Sequence, residues 1–317
     1  MYNIIKGAVY SLWHISAVQF GDHLQIRGTV IKGRCLQYRA RMSMLRKFLT
    51  TGKTFFMPAA AHIDLEIEID GRKWPVSTGS RGSFVLEVPA THPVQPVIYR
   101  HGDRVALPVC QNYPSCFPDT DFPLAVISDI DDTILVSYTR SLYKRIRTLL
   151  FVSPHKRKPV SFTLRLLQAV AGRQGRIFYI SKSESNLFGL LSNVIMQHQI
   201  PAGPLYLTTW TRFLQLIRKK AADYKLQHIL NIIRHSPGKQ FILLGDDTQQ
   251  DMRVYADVVV AFPQSIYKIY IRKTRKSLSS RKQAYLARLR ALPVPVVYFS
   301  DSDAISQDLH DIENYQE

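Results

Sequence analysis

Along the first hundred or so residues, apolar and polar positions exchange with a period close to two. "HIDLEIEID" (residues 62–70) alternates almost without error, as a strand buried on one face should. Asp70-Gly71 then supplies a hairpin signal, with "RKWPVS" as the partner strand. "HLQIRGTVI" (residues 23–31) alternates less cleanly and holds a glycine inside the run. "GSFVLEVPA", "PVIYR" and "DRVALPV" extend the series. Short strands separated by turn residues predict a small antiparallel β-sandwich. Between the first strands, Tyr38, Met42, Leu45 and Leu49 fall at helical spacing among Arg39, Arg41, Arg46 and Lys47. They predict a basic amphipathic helix packed on its own domain or a long excursion from the sheet, with a helix lying on a membrane as the alternative.

The pattern changes after "CQNYPSCFPDTD" (residues 110–121), which has two prolines and no usable period. We place the boundary there, with residues 1–118 as a β-rich domain and residues 119–317 as a second domain. Beyond it, apolar runs without alternation take turns with segments of helical period. The runs are "PLAVISDI", "RIFYIS", "PLYLTT", "QFILLGD" and "IYKIYI". The helical segments include "SFTLRLLQAVAG", "NLFGLLSNVIMQH", "ADYKLQHILNIIRH" and "DMRVYADVVVAF". Strands apolar on both faces with helices between them predict a doubly wound, mostly parallel α/β sheet. Ligands of such sheets bind beyond the carboxyl ends of the strands.

Composition adds constraints. The 46% hydrophobic and 11% aromatic content is that of a globular chain. No apolar run reaches the roughly 20 residues of a membrane span. "MYNIIKGAVYSLWHISAVQF" lacks a charged leader, an unbroken apolar core and a small-residue cleavage site, and reads as part of the fold. Cys35, Cys110 and Cys116 are too few and scattered for a disulfide framework, and no C-x-x-C pair suggests a metal. A reducing, cytoplasmic setting is therefore expected, with peripheral membrane association as a further option. The net charge of +18 favours an anionic partner: a phospholipid surface, a nucleic acid or a phosphorylated metabolite.

Chemistry gathers where the apolar runs end. After "LAVIS" stand Asp129, Asp131, Asp132 and Thr133; after "RIFYI" stands Ser181. After "QFILLG" stand Asp246 and Asp247, with Asp251 close behind, and Lys225 lies in the first turn of the preceding helix. Adjacent parallel strands bring these groups into one small volume. Several carboxylates share a site when a cation offsets their repulsion or when one takes up a proton. An all-oxygen donor set without His or Cys favours a hard ion, and Mg²⁺ suits best because it retains waters for a substrate phosphate. A carboxylate beside such an ion stays ionised and can attack phosphorus, while Lys225 stabilises charge on the transferred group.

Asp-x-Asp-x-Thr directly after an apolar strand resembles the first motif of the haloacid-dehalogenase-like phosphohydrolases. "DIDDT" (129–133), Ser181, Lys225 and "GDDTQQD" (245–251) are similar to their four signature elements, in order. The likeness is closer to one branch, the phosphatidate phosphatases associated with actin patches and their bacterial relatives. "RIFYISKSESNLF", "IPAGPL" and "AFPQSIYKIYIR" resemble further segments of that branch. "IRGTV" and the "STGSRGSFVLEV" hairpin resemble the β-domain of the bacterial relatives, less specifically. The catalytic likeness spans about residues 120–275.

The resemblance implies a HAD-like Rossmannoid domain with little or no cap. It implies Asp129 as the nucleophile that forms an aspartyl-phosphate and Asp131 as the general acid and base. Ser181 and Lys225 would hold phosphate oxygens, and Thr133 would support the loop. Mg²⁺ would be held by Asp129, the backbone carbonyl of Asp131 and Asp246, with Asp251 supporting its water shell. Two positions depart from the family's pattern. Lys182-Ser183-Glu184-Ser185 stands where Ser-Pro-Trp is usual, and Asp247-Thr248 replaces the end of Gly-Asp-Ser-Gly. Asp247 is expected as a helix N-cap, with a further metal contact as the alternative.

The expected substrate is phosphatidate or a related lipid phosphate at a membrane surface. The same chemistry on a nucleic-acid end, a phosphoprotein or a soluble metabolite is the alternative, and an idle membrane- or nucleic-acid-binding module is a third reading. The acid-free stretch 267–290, rich in Lys and Arg, is a solvated face, a lipid-facing segment or a nucleic-acid contact.

Overall fold

The computed structural model describes residues 9–36, 44–90, 92–130, 161–210, 222–247, 250–274, 277–300, 306–313 and 315. The chain forms two compact units. One comprises residues 1–118 with 183–193 and 208–219; the other comprises 119–182, 194–207 and 220–317.

The first unit holds β1 (Tyr10–Phe20), β2 (His23–Lys32), α1 (Met44–Thr54), β3 (Asp64–Ile69), β4 (Arg72–Ser77), β5 (Ser83–Pro89), β6 (Val97–Arg100) and β7 (Cys116–Phe117). Two sheets result, of order β5-β2-β1-β7 and β4-β3-β6. Leu12, Ile15, Leu24 and Ile26 of one sheet share a core with Leu65, Ile67 and Ile98 of the other. The expected sandwich is therefore present, antiparallel except where β7 runs parallel to β1. Asp70 and Gly71 both adopt positive φ (49° and 75°), the requirement of the tight turn that pairs Ile69 with Arg72. The glycine inside β2 also has a reason. A Cβ on Gly28 would lie 2.6 Å from Cζ of Phe84, its partner across β5, and 2.9 Å from the carbonyl of His14.

Several expectations need correction. "STGSRGSFVLEV" is no hairpin, because β4 and β5 belong to different sheets. "DRVALPV" forms isolated bridges rather than a strand, Ala106 with Tyr99 and Val109 with Leu12. A helix is present at residues 44–54, inside the stretch where helical spacing is expected, and residues 37–43 fall outside the described set. It packs within its own unit: Asn186 Nδ2 donates to the carbonyl of Thr54 (3.1 Å) and Thr54 Oγ1 to that of Asn186 (3.4 Å). Cys35 and Cys110 form a disulfide across 75 residues. The β1–β2 pairing returns residue 33 to Val9, while Cys110 N bonds the carbonyl of Leu12, so both cysteines arrive at the start of β1.

A third sheet is built from β8 (Leu124–Asp129), β9 (Ile177–Glu184), β10 (Leu205–Thr208), β11 (Gln240–Asp246), β12 (Ile266–Arg272) and β13 (Val296–Phe299). Its helices are α2 (Ser161–Gly172), α3 (Phe188–Gln197), α4 (Ala222–Arg234), α5 (Asp251–Ala261), α6 (Ser280–Arg290) and α7 (Ser306–Glu313). The order is β10-β9-β8-β11-β12-β13, with β8 parallel to both β9 and β11, β12 parallel to β11, and β13 parallel to β12. The chain starts at the centre, moves outward through β9 to β10, then returns to β11 and proceeds the other way. This is the doubly wound arrangement, and its reversal of direction lies between β8 and β11. Every residue of β8 and all but the first of β11 are buried, which explains why neither run alternates. Residues 131–160 and 211–221, on which the absence of a cap would turn, lie outside the described set. No described helix is long and apolar enough to cross a membrane.

Candidate active site

β8 and β11 are neighbours, with Leu244 paired to Ser128, so Asp129 and Asp246 end adjacent strands on the same edge. Asp251, the first residue of α5, follows at once. Oxygen atoms of Asp129, Asp246 and Asp251 lie within 4.8 Å of one another, and all three residues are at most 1% exposed. Lys225 in the first turn of α4 enters from the side and is equally buried. Its Nζ lies 3.1 Å from Asp129 Oδ1 and 2.5 Å from Asp251 Oδ1. Burial alone would lower the Lys225 ammonium, but the charges of Asp129, Asp251 and Asp246 hold it above its usual range.

Asp251 is fixed by a second contact, from the backbone N–H of Asp246 to its Oδ2 at 3.3 Å. This requires a close approach over Gly245. A Cβ there would meet Asp251 Cβ and Oδ2 at 2.9 Å and the Tyr255 ring at 2.8 Å. Tyr255 in turn donates its hydroxyl to the Leu244 carbonyl (2.6 Å). Burial, and then the negative charge of the three aspartates, push its phenol well above the usual range. Gly245 is thus part of the site's construction, a role the sequence reading did not assign. Its signal was a glycine directly before the strand-end aspartate.

Ser181 is fully buried in β9, one residue beyond Ile180, which pairs with Asp129. Lys182 follows it, half-buried. Burial and then the charge of Lys225 lower the Lys182 ammonium, against the pull of Asp251, Asp129 and Asp246. It therefore belongs to the electrostatics of the cluster. Asp131 and Thr133 lie outside the described residues.

Asp247 is no helix cap. The residue before α5 is Gln250, whose side chain makes no capping bond. The Asp247 carboxylate instead accepts from Thr274 N (3.2 Å), from the Thr274 hydroxyl and from Tyr298 OH (2.8 Å). Its backbone carbonyl accepts from Lys282 Nζ. Asp247 lies one residue past the end of β11, and these bonds hold its carboxylate on the β12–β13 side while Asp246 belongs to the cluster.

Three carboxylates against one lysine leave the cluster two negative charges in excess. All its donors are hard oxygens. Asp129, Asp246 and Asp251 therefore fit a divalent ion of the magnesium class.

Residues 124–273 match the family described as phosphatidate phosphatase APP1, catalytic domain. Phosphatidate phosphatase APP1 of Saccharomyces cerevisiae is 31% identical over 177 residues, covering 54% of this chain and 29% of that protein. An uncharacterised protein of Schizosaccharomyces pombe is 23% identical over 171 residues, covering 54% of this chain and 28% of its own. The chain thus spans under a third of the length of either relative. Likeness to solved structures is remote: a chain of the Pnkp1/Rnl/Hen1 complex, 17% identical over 64% of this chain and 57% of its own, gives a TM-score of 0.34. Over residues 124–273, the chain is therefore similar to the phosphatidate phosphatase APP1 catalytic domain.

Proposed function

We propose that the protein is a Mg²⁺-dependent phosphomonoester hydrolase of the haloacid-dehalogenase-like kind, acting through an aspartyl-phosphate on phosphatidate or a related lipid phosphate. The observation that carries this reading is the buried cluster of Asp129, Asp246, Asp251 and Lys225 at the reversal point of the sheet, inside the stretch that matches the family. Asp129, Asp246 and Asp251, with the backbone carbonyl of Asp131, are the groups that would hold the ion. When bound, it neutralises excess carboxylate charge and polarises the phosphoryl oxygens.

In this mechanism an oxygen of Asp129 attacks phosphorus in line with the ester oxygen. The P–O ester bond breaks, and Asp131 gives the leaving oxygen a proton. Asp131 then accepts a proton from water as that water attacks phosphorus, and the bond from Asp129 to phosphorus breaks to release phosphate. Lys225 places a fixed positive charge beside the transferring group, and the Ser181 hydroxyl donates to one of its oxygens. Deep burial removes competing water and strengthens each of these interactions.

The test measures phosphate release by wild type and Asp129→Asn from phosphatidate in mixed micelles, a small aryl phosphate and 3′-phosphorylated DNA, with Mg²⁺ or with chelator. Cleavage of phosphatidate by wild type only with Mg²⁺, abolished in the variant, is the expected result. Cleavage confined to the aryl phosphate or the DNA end would keep the chemistry and overturn the lipid substrate. No cleavage of any of the three would overturn the enzyme reading.

A further inference from the structure

Half of the net charge of +18 sits in one segment: residues 266–300 contain nine Lys and Arg and no acidic residue. The fold brings that segment to the edge of the sheet where the aspartate cluster lies. β12 runs beside β11 with Arg272 paired to Asp246, so the chain leaving β12 emerges next to the site. Thr274 and Tyr298 bond the carboxylate of Asp247 and Lys282 its carbonyl, one residue from Asp246. Arg290, at the end of α6, acts electrostatically on Tyr298.

α6 is seated by Leu286 and Leu289, the two buried residues of the helix. Two basic residues of the segment are neutralised within the fold, Arg288 by Asp257 and Lys268 by Asp308, each at 2.8 Å. Lys273, Arg281 and Arg290 are different. They are exposed, and no carboxylate among the described residues pairs with them. A positive stripe therefore runs outward from the site along the β12 exit and α6.

We propose that this stripe is a docking face for an anionic phospholipid surface, placed so that a headgroup phosphate is offered to the cluster beside it. The proposal rests on the lipid-phosphate reading above. A single-stranded nucleic acid is the other polyanion of matching charge, but it needs aromatic faces on which bases can stack. Each tyrosine of this segment already has a partner. Tyr267 packs edge-on against Tyr315, Tyr270 is buried against Phe162, Tyr285 lies under Arg281, and Tyr298 bonds Asp247. Only Tyr285 lies part-exposed on α6, and it is covered by Arg281, so charge rather than stacking dominates this face and suits a lipid headgroup layer.

The test compares wild type with the triple variant Lys273→Gln/Arg281→Gln/Arg290→Gln. Sedimentation with phosphatidylcholine vesicles, with and without phosphatidylserine, gives the partition coefficient. Each basic residue near such a surface is worth roughly a factor of five, so the three together predict a loss of about a hundredfold. Wild-type binding should require phosphatidylserine and fall with salt. The variant should hydrolyse a soluble aryl phosphate as wild type does, yet lose rate on vesicle-borne phosphatidate. Equal vesicle binding by variant and wild type, or equal wild-type binding to neutral vesicles, would overturn the proposal. So would binding of single-stranded RNA, but not vesicles, through the same residues. If wild type hydrolyses nothing, the functional reading fails while vesicle partition still decides the docking face.

Discussion

Replacing Lys225 by methionine removes the ammonium that faces Asp129 and Asp251 while nearly preserving side-chain volume. At an effective dielectric of about 20, the contacts of 3.1 Å and 2.5 Å correspond to gross attractions of about 5 and 7 kcal/mol. Much of that offsets the desolvation of a fully buried ammonium, and breaking a buried pair typically costs about 3–5 kcal/mol. At 2–4 °C per kcal/mol, the melting temperature in chelator should drop by roughly 6–20 °C. Adding Mg²⁺ should narrow the gap, because a divalent ion among the carboxylates supplies the missing charge. Phosphate release should stay down by about 10²–10³, since stabilisation of the transferring group depends on where the charge sits. The sign of the pH dependence is fixed as well. The folded ammonium is held above its usual value, so its contribution is complete below about pH 10 and lost only as pH rises through the folded value. The gap between wild type and variant should therefore hold steady from about pH 6 to 9, as far as the lysine decides it. Thermal melts in chelator and in Mg²⁺, with phosphate release measured alongside, check all of this. A loss under about 1 kcal/mol in chelator, or one that Mg²⁺ does not reduce, would refute the charge-deficit account of the cluster.

Gly245→Ala forces a methyl into Asp251 and Tyr255; it should lower stability by about 1–3 kcal/mol and cut phosphate release, and a variant that melts and turns over like wild type would sink the close-approach argument. His14 is buried against Phe188, 4.6 Å between ring centres, and burial, then the charge of Arg27, lowers its pKa to about 3. Its neutral ring contributes stability above about pH 6.5 that drains away as pH falls toward 3, about 2 kcal/mol by pH 5; His14→Gln should flatten that slope in melts across this range. Tyr298→Phe deletes the hydroxyl bonded to Asp247 and leaves a carboxylate oxygen short of a donor, which should cost about 1–3 kcal/mol in a denaturant titration. Asn186→Leu removes one of two donors to the Thr54 carbonyl, which keeps Met57 N at 3.3 Å, and should cost about 0.5–1.5 kcal/mol; an unchanged midpoint would show that α1 does not depend on that bond.

Fold and site were legible to different depths. The runs ending at Asp129 and Asp246 announced buried parallel strands because every residue between their ends is apolar or small. Asp70-Gly71 announced its turn because both positions adopt positive φ, which few residue pairs accept. Cys35 and Cys110 gave no such signal, since their meeting depends on two backbone pairings to β1 across 75 residues. β7 was hidden by its length: two residues cannot show a period. The segment 183–193 read as a continuation of the α/β pattern, yet it packs in the first unit, where Trp13 Nε1 donates to the Ser185 carbonyl at 2.8 Å. Only long-range contact reveals that, because a backbone acceptor has no residue identity to read.

Asp247 and Lys182 carry the last step. Each departs from the family's pattern, and each stands one place from a residue of the proposed machinery, Asp246 or Ser181. Lys182 is a strand residue whose side chain points away from that of Ser181, and Asp247 lies just past its strand, so each alters the surroundings without displacing its neighbour. At Asp247 this freedom ties the strand end to Thr274, Tyr298 and Lys282, on the basic side of the sheet. At Lys182 it adds a second ammonium to a cluster that holds three carboxylates. Lys182 adds positive charge beside the cluster, and Asp247 adds a carboxylate that anchors the basic β12–β13 side, while Asp129, Asp246 and Asp251 stay together. A site built this way can keep one phosphoryl-transfer reaction and vary the anion that approaches it, so the choice of substrate should be sought in the residues beside the cluster and the reaction in the cluster itself.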